Sequence, residues 1–191
     1  MTRPSVAFAK NALRHQDYII AAEIGVNYGN HSKEICDEFG DDLGVLFLVD
    51  PYDGWADQWG FQYGQERMEE MMQNLRGHKK TIFFRETSVG AANYFAKGGN
   101  KFDFVYIDGD HEYDSVLDDL TMWHPLVKKG GILAGHDYKL IPSVEKAVID
   151  FCLFRGHDMA IPIHYQPNGG DDWWIIKGEG EEWQGPALSL P

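Results

Sequence analysis

The sequence predicts an α/β fold built on a doubly wound, mostly parallel sheet. Short apolar runs alternate with segments of helical periodicity, as do the strands and helices of successive βαβ units. Few charged residues interrupt the runs, as expected for strands that helices cover on both faces. The predicted parallel strands are Tyr18–Ile24, Leu43–Val49, Lys80–Phe84, Phe102–Ile107 and Ile132–Gly135.

Helices are predicted before, between and after these strands, from apolar residues at helical spacing or from capping and stop residues. They are Val6–His15, Ser32–Phe39, Glu66–Arg76, Ser115–Trp123 and Val144–Arg155, and another that ends at Phe95. A length of 191 residues fits one domain. We place this domain at residues 1–178 and predict a loose tail at residues 179–191, which have no periodic pattern.

Two further strands are predicted near the C-terminus. Met159–Gln166 and Trp173–Lys177 are apolar segments joined by the sequence PNGGDD. Proline, asparagine and glycine in a short connection favour a tight turn. The sequence therefore predicts an antiparallel hairpin at the edge of the sheet.

Charge and composition narrow the classes of partner. Acidic residues outnumber basic residues by 30 to 17, and the formal net charge is −13. This charge argues against a nucleic acid or an anionic membrane as partner, and no apolar run is long enough to span a bilayer. Cys36 and Cys152 have neither paired nor metal-type spacing. Since the N-terminus lacks the apolar core of a signal peptide, we expect a cytoplasmic protein with reduced cysteines.

A glycine-containing turn follows the first strand, with the spacing E-x-G-x-x-x-G from Glu23 through Gly25 to Gly29. The glycines let the backbone turn tightly and approach a ligand, and Ser32 is a good N-cap for the next helix. The spacing matches neither the phosphate loop nor the dinucleotide motif G-x-G-x-x-G. Because the Glu23 carboxylate would repel a pyrophosphate and attract an ammonium group, we expect a cofactor with an amino acid end.

The ends of the second and third strands predict nucleoside contacts. Asp50 follows the glycine turn by about 25 residues, close to where α/β nucleotide folds place a carboxylate on the ribose. Its alternative role is to cap the next segment. After the third strand, Glu86, Thr87 and Ser88 offer hydrogen bonds to an adenine, and helix capping by Thr87 or Ser88 is the alternative.

An aromatic loop, Pro51–Gln65, follows the predicted ribose-binding position. Its rings and glycines suit a lid that folds over a site. Packing of the rings beneath the loop, as a small satellite core, is an equally good interpretation.

Carboxylates and imidazoles follow the fourth and fifth strands, and they should converge because the carboxyl ends of parallel strands share one edge of the sheet. They are Asp108, Asp110, His111, His136 and Asp137. Such a set suits a divalent cation, with Asp108, His136 and Asp137 as its ligands. His111 would then be a general base. Ordinary hydrogen bonds are one alternative, and a two-His-one-carboxylate iron site of an oxygenase is another.

The chain resembles the class I S-adenosylmethionine-dependent methyltransferases. It is most similar to the group called methyltransferase family 24, which includes antibiotic-sugar and other O-methyltransferases. The motifs that carry the resemblance are AEIGVNYGNHS, LVDPYDGW, RETS, FDFVYIDGDHEYDSVLDDL and KKGGILAGHDY, between about Ile20 and Phe151. The resemblance implies a Rossmann-like sheet of seven strands, with the last two antiparallel.

The resemblance also implies the cofactor, S-adenosylmethionine, and roles for individual residues. The implied cofactor contacts are Glu23, Gly25, Val26, Asn27, Tyr28, Gly29, Ser32, Asp50, Pro51, Tyr52, Glu86, Thr87, Ser88, Asp108 and Gly109. The implied ligands of a magnesium ion are Asp108, His136 and Asp137, with Asp108 and His111 as catalytic residues. His136 stands where better-understood relatives have a carboxylate or amide, which favours a softer cation such as manganese, or a role for His136 as the base.

The predicted function is O-methylation of a hydroxyl group on a small molecule or sugar, with a divalent cation, magnesium or manganese, as a candidate assistant. The expected partner is this small-molecule acceptor, and a homo-oligomer is compatible with the sequence. Two other functions stay open at this point. One is a non-heme iron oxygenase that uses His111, His136 and Asp137, and the other is a nucleotide-binding module without catalysis.

Overall fold

The computed structural model describes residues 2–53, 64–155, 164–166 and 171–178. Strands form in the predicted order: β1 Ile19–Ile24, β2 Leu43–Val49, β3 Thr81–Phe84, β4 Phe102–Ile107, β5 Val127–Gly135, β6 His164–Gln166 and β7 Asp172–Ile176. Helices lie between them: α1 Pro4–Ala12, α2 Asn30–Phe39, α3 Gln65–Asn74, α4 Ser88–Lys97, α5 Tyr113–Trp123 and α6 Pro142–Arg155. Two short 3₁₀ turns, Gly40–Asp42 and His124–Leu126, precede β2 and β5.

The strands form one sheet of seven in the order β3-β2-β1-β4-β5-β7-β6. The first five strands are parallel, while β7 runs antiparallel to both β5 and β6. Strands β2 and β3 extend the sheet on one side of β1, and the later strands extend it on the other side. The strand order therefore changes direction between β1 and β4, which pair with each other. The carboxyl ends of these two strands define the switch point, where α/β sheets bind their ligands. The predicted fold class, including the antiparallel C-terminal pair, is confirmed.

Each face of the sheet has its own apolar core. Phe95, Phe102 and Trp123 pack on the face covered by α4, α5 and α6. Phe39 and Phe104 pack on the other face, beneath α1 and α2. Every residue of β4 is buried, as expected for a central strand covered on both sides. Burial of each large side chain stabilises the fold by about 1.5–3 kcal/mol.

Several boundaries differ from the prediction for physical reasons. Helix α2 begins at Asn30, and its N-cap is Gly29 at a φ of +74°. The capping role predicted for Ser32 is therefore wrong, because its hydroxyl donates to Glu23 instead. Strand β5 was predicted to begin at Ile132 but begins at Val127. The Lys-Lys-Gly-Gly segment belongs to the strand, and Gly130 and Gly131 exchange backbone hydrogen bonds with Lys177.

Some predictions lie outside the described residues. These are most of the aromatic loop, at residues 54–63, the first part of the predicted hairpin, and the tail. Cys36 and Cys152 are buried free thiols, as predicted. Among the helices that the structure describes, none combines the length and the apolarity needed to cross a bilayer.

Candidate active site

A cavity of about 690 Å³ opens at the carboxyl edge of the sheet. Its walls come from the segments that follow β1, β2, β3 and β4, with one side chain from the N-terminal segment, Arg3. The predicted site residues that line it are Glu23, Gly25, Val26, Asn27, Tyr28, Asp50, Pro51, Thr87, Ser88, Asp108, Gly109 and His111. Those not among the lining residues are Gly29, Ser32, Tyr52, Glu86, His136 and Asp137.

The first turn depends on Gly25. This residue has a φ of +84°, and an added Cβ would stand 2.0 Å from the carbonyl oxygen of Asp108. The two strand ends are joined here, because the amide of Asp108 donates to the carbonyl of Ile24 at 2.8 Å. A side chain at position 25 would therefore push β1 and β4 apart and close the cavity from below.

Asp50 shapes the same turn from the side of β2. Its Oδ2 accepts hydrogen bonds from the amides of Val26 at 2.9 Å and Asn27 at 3.1 Å, and its Oδ1 accepts one from Tyr52 at 3.0 Å. Burial raises the pKa of Asp50, and these backbone bonds oppose the rise. The side chain is 6% exposed and lines the cavity, so the predicted ribose contact comes from a carboxylate that also anchors the loop.

Glu23 lies at the floor of the cavity and is 1% exposed. Its carboxylate accepts a hydrogen bond from the Ser32 hydroxyl and lies 3.0 Å from Nδ1 of His31. The His31 ring packs on Tyr106 with the ring centroids 4.0 Å apart, and it also lines the cavity. The negative charge predicted to attract an ammonium group is thus fixed in place by α2.

The segment after β3 uses most of its polar groups to start α4. The Thr87 hydroxyl accepts from the amide of Gly90 at 3.1 Å, so the capping alternative is confirmed for Thr87. The carboxylate of Glu86 accepts from the amide of Thr87 at 2.8 Å. Ser88 accepts from Nε1 of Trp123 at 2.9 Å and donates to Asp119.

His111 lies between two carboxylates at the opposite wall. Its Nε2 is 3.0 Å from Oδ2 of Asp137 and 3.7 Å from Oδ1 of Asp108. Burial disfavours the imidazolium, but the two carboxylates outweigh burial and raise the pKa of His111 to about 10. Despite burial, His111 and His136 hold the pKa of Asp137 well below its usual range. Asp137 adopts a φ of +60°, a region that aspartate tolerates better than most residues.

Three of these groups could hold a cation. Among the described residues, ligand atoms of Asp108, His111 and Asp137 all lie within 4.8 Å of one another. Two carboxylates and an imidazole fit a divalent ion such as manganese better than magnesium, which prefers oxygen. His136 lies beside this set, since its Nδ1 is 3.0 Å from the other oxygen of Asp137. Asp110 turns toward α5 and accepts from the Ser115 hydroxyl at 2.7 Å.

A polar network holds the side chain of Arg3 at the cavity. The guanidinium of Arg3 donates to the Tyr106 hydroxyl and lies 3.3 Å from Oδ2 of Asp108. Tyr106 in turn donates to Asp172 at 2.9 Å, and the amide of Ser5 donates to the same carboxylate at 3.1 Å. The network thus joins α1, β4 and β7 beside the cavity wall that holds Asp108.

Sequence reasoning missed several residues of the cavity wall, among them Arg3, His31 and Asp119. Asp119 had a usable signal, because it falls on the apolar face of α5 beside Val116 and Leu120, where a carboxylate needs a reason to be buried. Arg3 had none, since its partners lie more than a hundred positions away.

Comparisons with known proteins identify a family and a fold for this chain. A family model described as a methyltransferase domain matches residues 22–138. The calicheamicin methyltransferase CalS11 has a similar structure, with a TM-score of 0.68 at 16% identity over 92% of this chain and 78% of that one. The O-methyltransferase NovP gives a TM-score of 0.65 at 19% identity, over 91% of this chain and 78% of its own.

Two further comparisons concern a solved structure with a bound cofactor and a short match in sequence. TomG, an O-methyltransferase from Streptomyces achromogenes solved in complex with S-adenosylmethionine, gives a TM-score of 0.62 at 14% identity over 92% of this chain and 80% of that one. Such low identities show the fold alone. In sequence, an uncharacterized protein of Acanthamoeba polyphaga mimivirus is 36% identical over 58 residues, which are 27% of this chain and 26% of that protein. The match therefore spans about a quarter of the viral protein.

Proposed function

The chain belongs to the methyltransferase domain family, and we propose that it methylates a hydroxyl group of a small molecule or sugar with S-adenosylmethionine. One observation supports this most directly. The cavity has a glycine turn with a buried carboxylate at one wall and Asp108 and His111 at the other, and Asp137 contacts His111 beside the cavity. A cofactor seated on the first wall would present its reactive group to an acceptor held at the second.

The cofactor supplies a methyl group already activated on a sulfonium, so the protein needs no covalent nucleophile. Glu23 places negative charge where the ammonium group of the amino acid end would lie. Asp50 faces the ribose from the end of β2. Gly25 keeps the floor low enough for the cofactor to reach the strand ends, and exclusion of water from this cavity strengthens each of these electrostatic contacts.

His111 is the proposed acceptor of the hydroxyl proton. Asp108 and Asp137 hold its ring in a fixed orientation, which positions one nitrogen for proton transfer. The same carboxylates favour the protonated ring, so His111 must lose this proton before it can act. Positive charge brought into the cavity by a ligand favours that loss.

In a second arrangement, His111 would be a ligand instead of the base, and Asp108, His111 and Asp137 would hold a divalent cation. When bound, it would lower the pKa of a coordinated hydroxyl group. The arrangement groups one imidazole with two carboxylates, so among the described residues it favours this role over the two-His set that an oxygenase would need.

Sugar acceptors are supported by a structural neighbour. CalS11 has also been solved in its apo form as a TDP-rhamnose 3'-O-methyltransferase, with a TM-score of 0.62 to this chain. Hydroxyl groups of a sugar are neutral, so the reacting part of such an acceptor suits an acidic cavity wall.

The test combines binding with turnover. Calorimetry with S-adenosylhomocysteine should show one site per chain, and methyl transfer should then be measured on nucleotide-sugar and catechol acceptors. Each assay is run after chelation and after addition of manganese. Binding without transfer to any hydroxylated acceptor would favour a non-catalytic module, and absence of binding would refute the proposed cofactor.

A further inference from the structure

The base end of the cavity lies between the segments that follow β3 and β4, where Gly109 forms part of the wall. A Cβ added to Gly109 would meet just two atoms within 4 Å, Oδ2 of Asp119 at 3.7 Å and a methyl group of Ile24 at 3.9 Å. The missing side chain thus leaves a flat opening with the Asp119 carboxylate at its edge. A planar base could lie against such an opening.

The hydroxyl groups nearest this opening are already engaged. Thr87 accepts from Gly90 as the cap of α4. Ser88 donates its proton to Oδ1 of Asp119 and accepts from Trp123. Another carboxylate of this wall, Asp110, accepts from Glu112 and Ser115. These groups build the wall and have few hydrogen bonds left for a ligand.

Asp119 differs from them in one respect. Its side chain is 5% exposed, yet no described residue donates a hydrogen bond to Oδ2. Oδ2 is not among the fully buried, unpaired polar atoms of the described residues, and Asp119 lines the cavity, so a ligand or water there can donate to this oxygen. Burial raises the pKa of Asp119 to about 7, against the hydrogen bond from Ser88. The helix holds this costly group at the cavity wall.

We propose that Oδ2 of Asp119 accepts a hydrogen bond from the exocyclic amino group of the adenine base and so selects adenine over 6-oxo purines. The inference rests on the proposed function, because it takes an adenosyl cofactor as the ligand. A 6-oxo group in the same position would bring its lone pairs against the carboxylate. Sites built to pair with a donor reject analogues that lack it.

Wild-type protein provides the first test. Calorimetry should compare S-adenosylhomocysteine with S-inosylhomocysteine, which carries an oxygen in place of the amino group, and with the N6,N6-dimethyl analogue, which has no proton to donate. We expect both analogues to bind about tenfold more weakly or worse. Equal affinity for all three ligands would overturn the role of Asp119 and leave the proposed function standing.

The second test is Asp119→Asn. Because Ser88 donates toward Oδ1, the asparagine should turn its NH₂ group to the cavity, where it matches a 6-oxo group. The preference for S-adenosylhomocysteine over S-inosylhomocysteine should fall by about tenfold or more. Asp114→Asn is the matched control, since it makes the same change on the exposed side of α5 and should leave the preference unchanged.

Three outcomes are distinguishable. A lost preference in Asp119→Asn, with Asp114→Asn like wild type, supports the assignment. An unchanged preference in a folded Asp119→Asn protein overturns it. Failure of wild-type protein to bind S-adenosylhomocysteine overturns the assignment and the proposed function together, and the wild-type analogue series decides the matter if the variant does not fold.

Discussion

The carboxylates of the two cavity walls are used in opposite ways. At the glycine turn, Asp50 accepts from three backbone amides, and Glu23 is held by Ser32 and His31. At the facing wall, Asp108 and its neighbour Asp137, which lies beside the cavity, are paired with groups that carry or can carry charge: Arg3, His111 and His136.

This difference in hydrogen-bond partners distinguishes carboxylates that hold the backbone in place from carboxylates that set the charge of the site. Backbone donors cannot lose their protons or leave, so the carboxylate that they surround keeps one geometry. Imidazole partners can change protonation, and their removal changes the charge of the site rather than its backbone. The first wall should therefore respond to mutation mainly in stability and cofactor affinity, and the second mainly in turnover.

The largest expected effect is on turnover in His111→Ala. Loss of a general base lowers kcat by about 100-fold or more, while the affinity for S-adenosylhomocysteine should stay within about threefold, because the cofactor wall is untouched. Single-turnover kinetics and calorimetry measure the two quantities. His15→Ala, an exposed histidine outside the cavity, is the control. Wild-type turnover in a folded His111→Ala protein would remove His111 from the mechanism.

The next effect is on stability in Asp50→Ala. Three amides lose their acceptor, and since water from the cavity can replace part of the loss, we expect about 2–4 kcal/mol of destabilisation. Cofactor affinity should fall with it. Asp50→Asn keeps one carbonyl oxygen and should lose about half as much. Urea unfolding measures both, and equal stability of Asp50→Ala and wild type would show that the turn does not depend on this anchor.

The smallest effect concerns the pH dependence of stability at Asp119. Its folded pKa of about 7 exceeds the unfolded value of about 3.9. The folded protein thus binds the extra proton between these values, and stability falls as pH rises through the interval. Asp119→Asn cannot bind this proton. Its free energy of unfolding, relative to that of wild type, should therefore rise by on the order of 2 kcal/mol between pH 4 and pH 7 and should not rise further at higher pH.

Urea unfolding at pH 4, 5.5, 7 and 8.5 on both proteins gives the difference curve. Asp114→Asn supplies the baseline for an exposed carboxylate on the same helix. A flat difference curve would mean that Asp119 is not shielded from water in the way its burial indicates.

Much of the fold follows from local patterns in the sequence. Apolar runs such as Phe102–Ile107 can only be satisfied in a sheet covered on both faces, and the turn residues between the last two strands specify a hairpin. The glycine at position 25 and the carboxylate at position 50 were likewise predictable, because their spacing from the strand ends is fixed by the βαβ unit.

The details of the site depend on contacts between distant segments. Serine is a common N-cap residue, but the hydroxyl of Ser32 donates a hydrogen bond to the buried carboxylate of Glu23 instead. Ser88 engages Asp119 from another helix. His111 and not His136 is grouped with Asp108 and Asp137, and sequence spacing does not reveal this arrangement.

The link from Ser5 to Asp172 also has a consequence for biosynthesis. Its two residues are 167 positions apart, so the ribosome must extend the chain past position 172 before the pair can form. Until then Tyr106 lacks Asp172 as its acceptor, and α1 is not joined to β7. We therefore expect the wall that carries Arg3 to reach its final form late in synthesis.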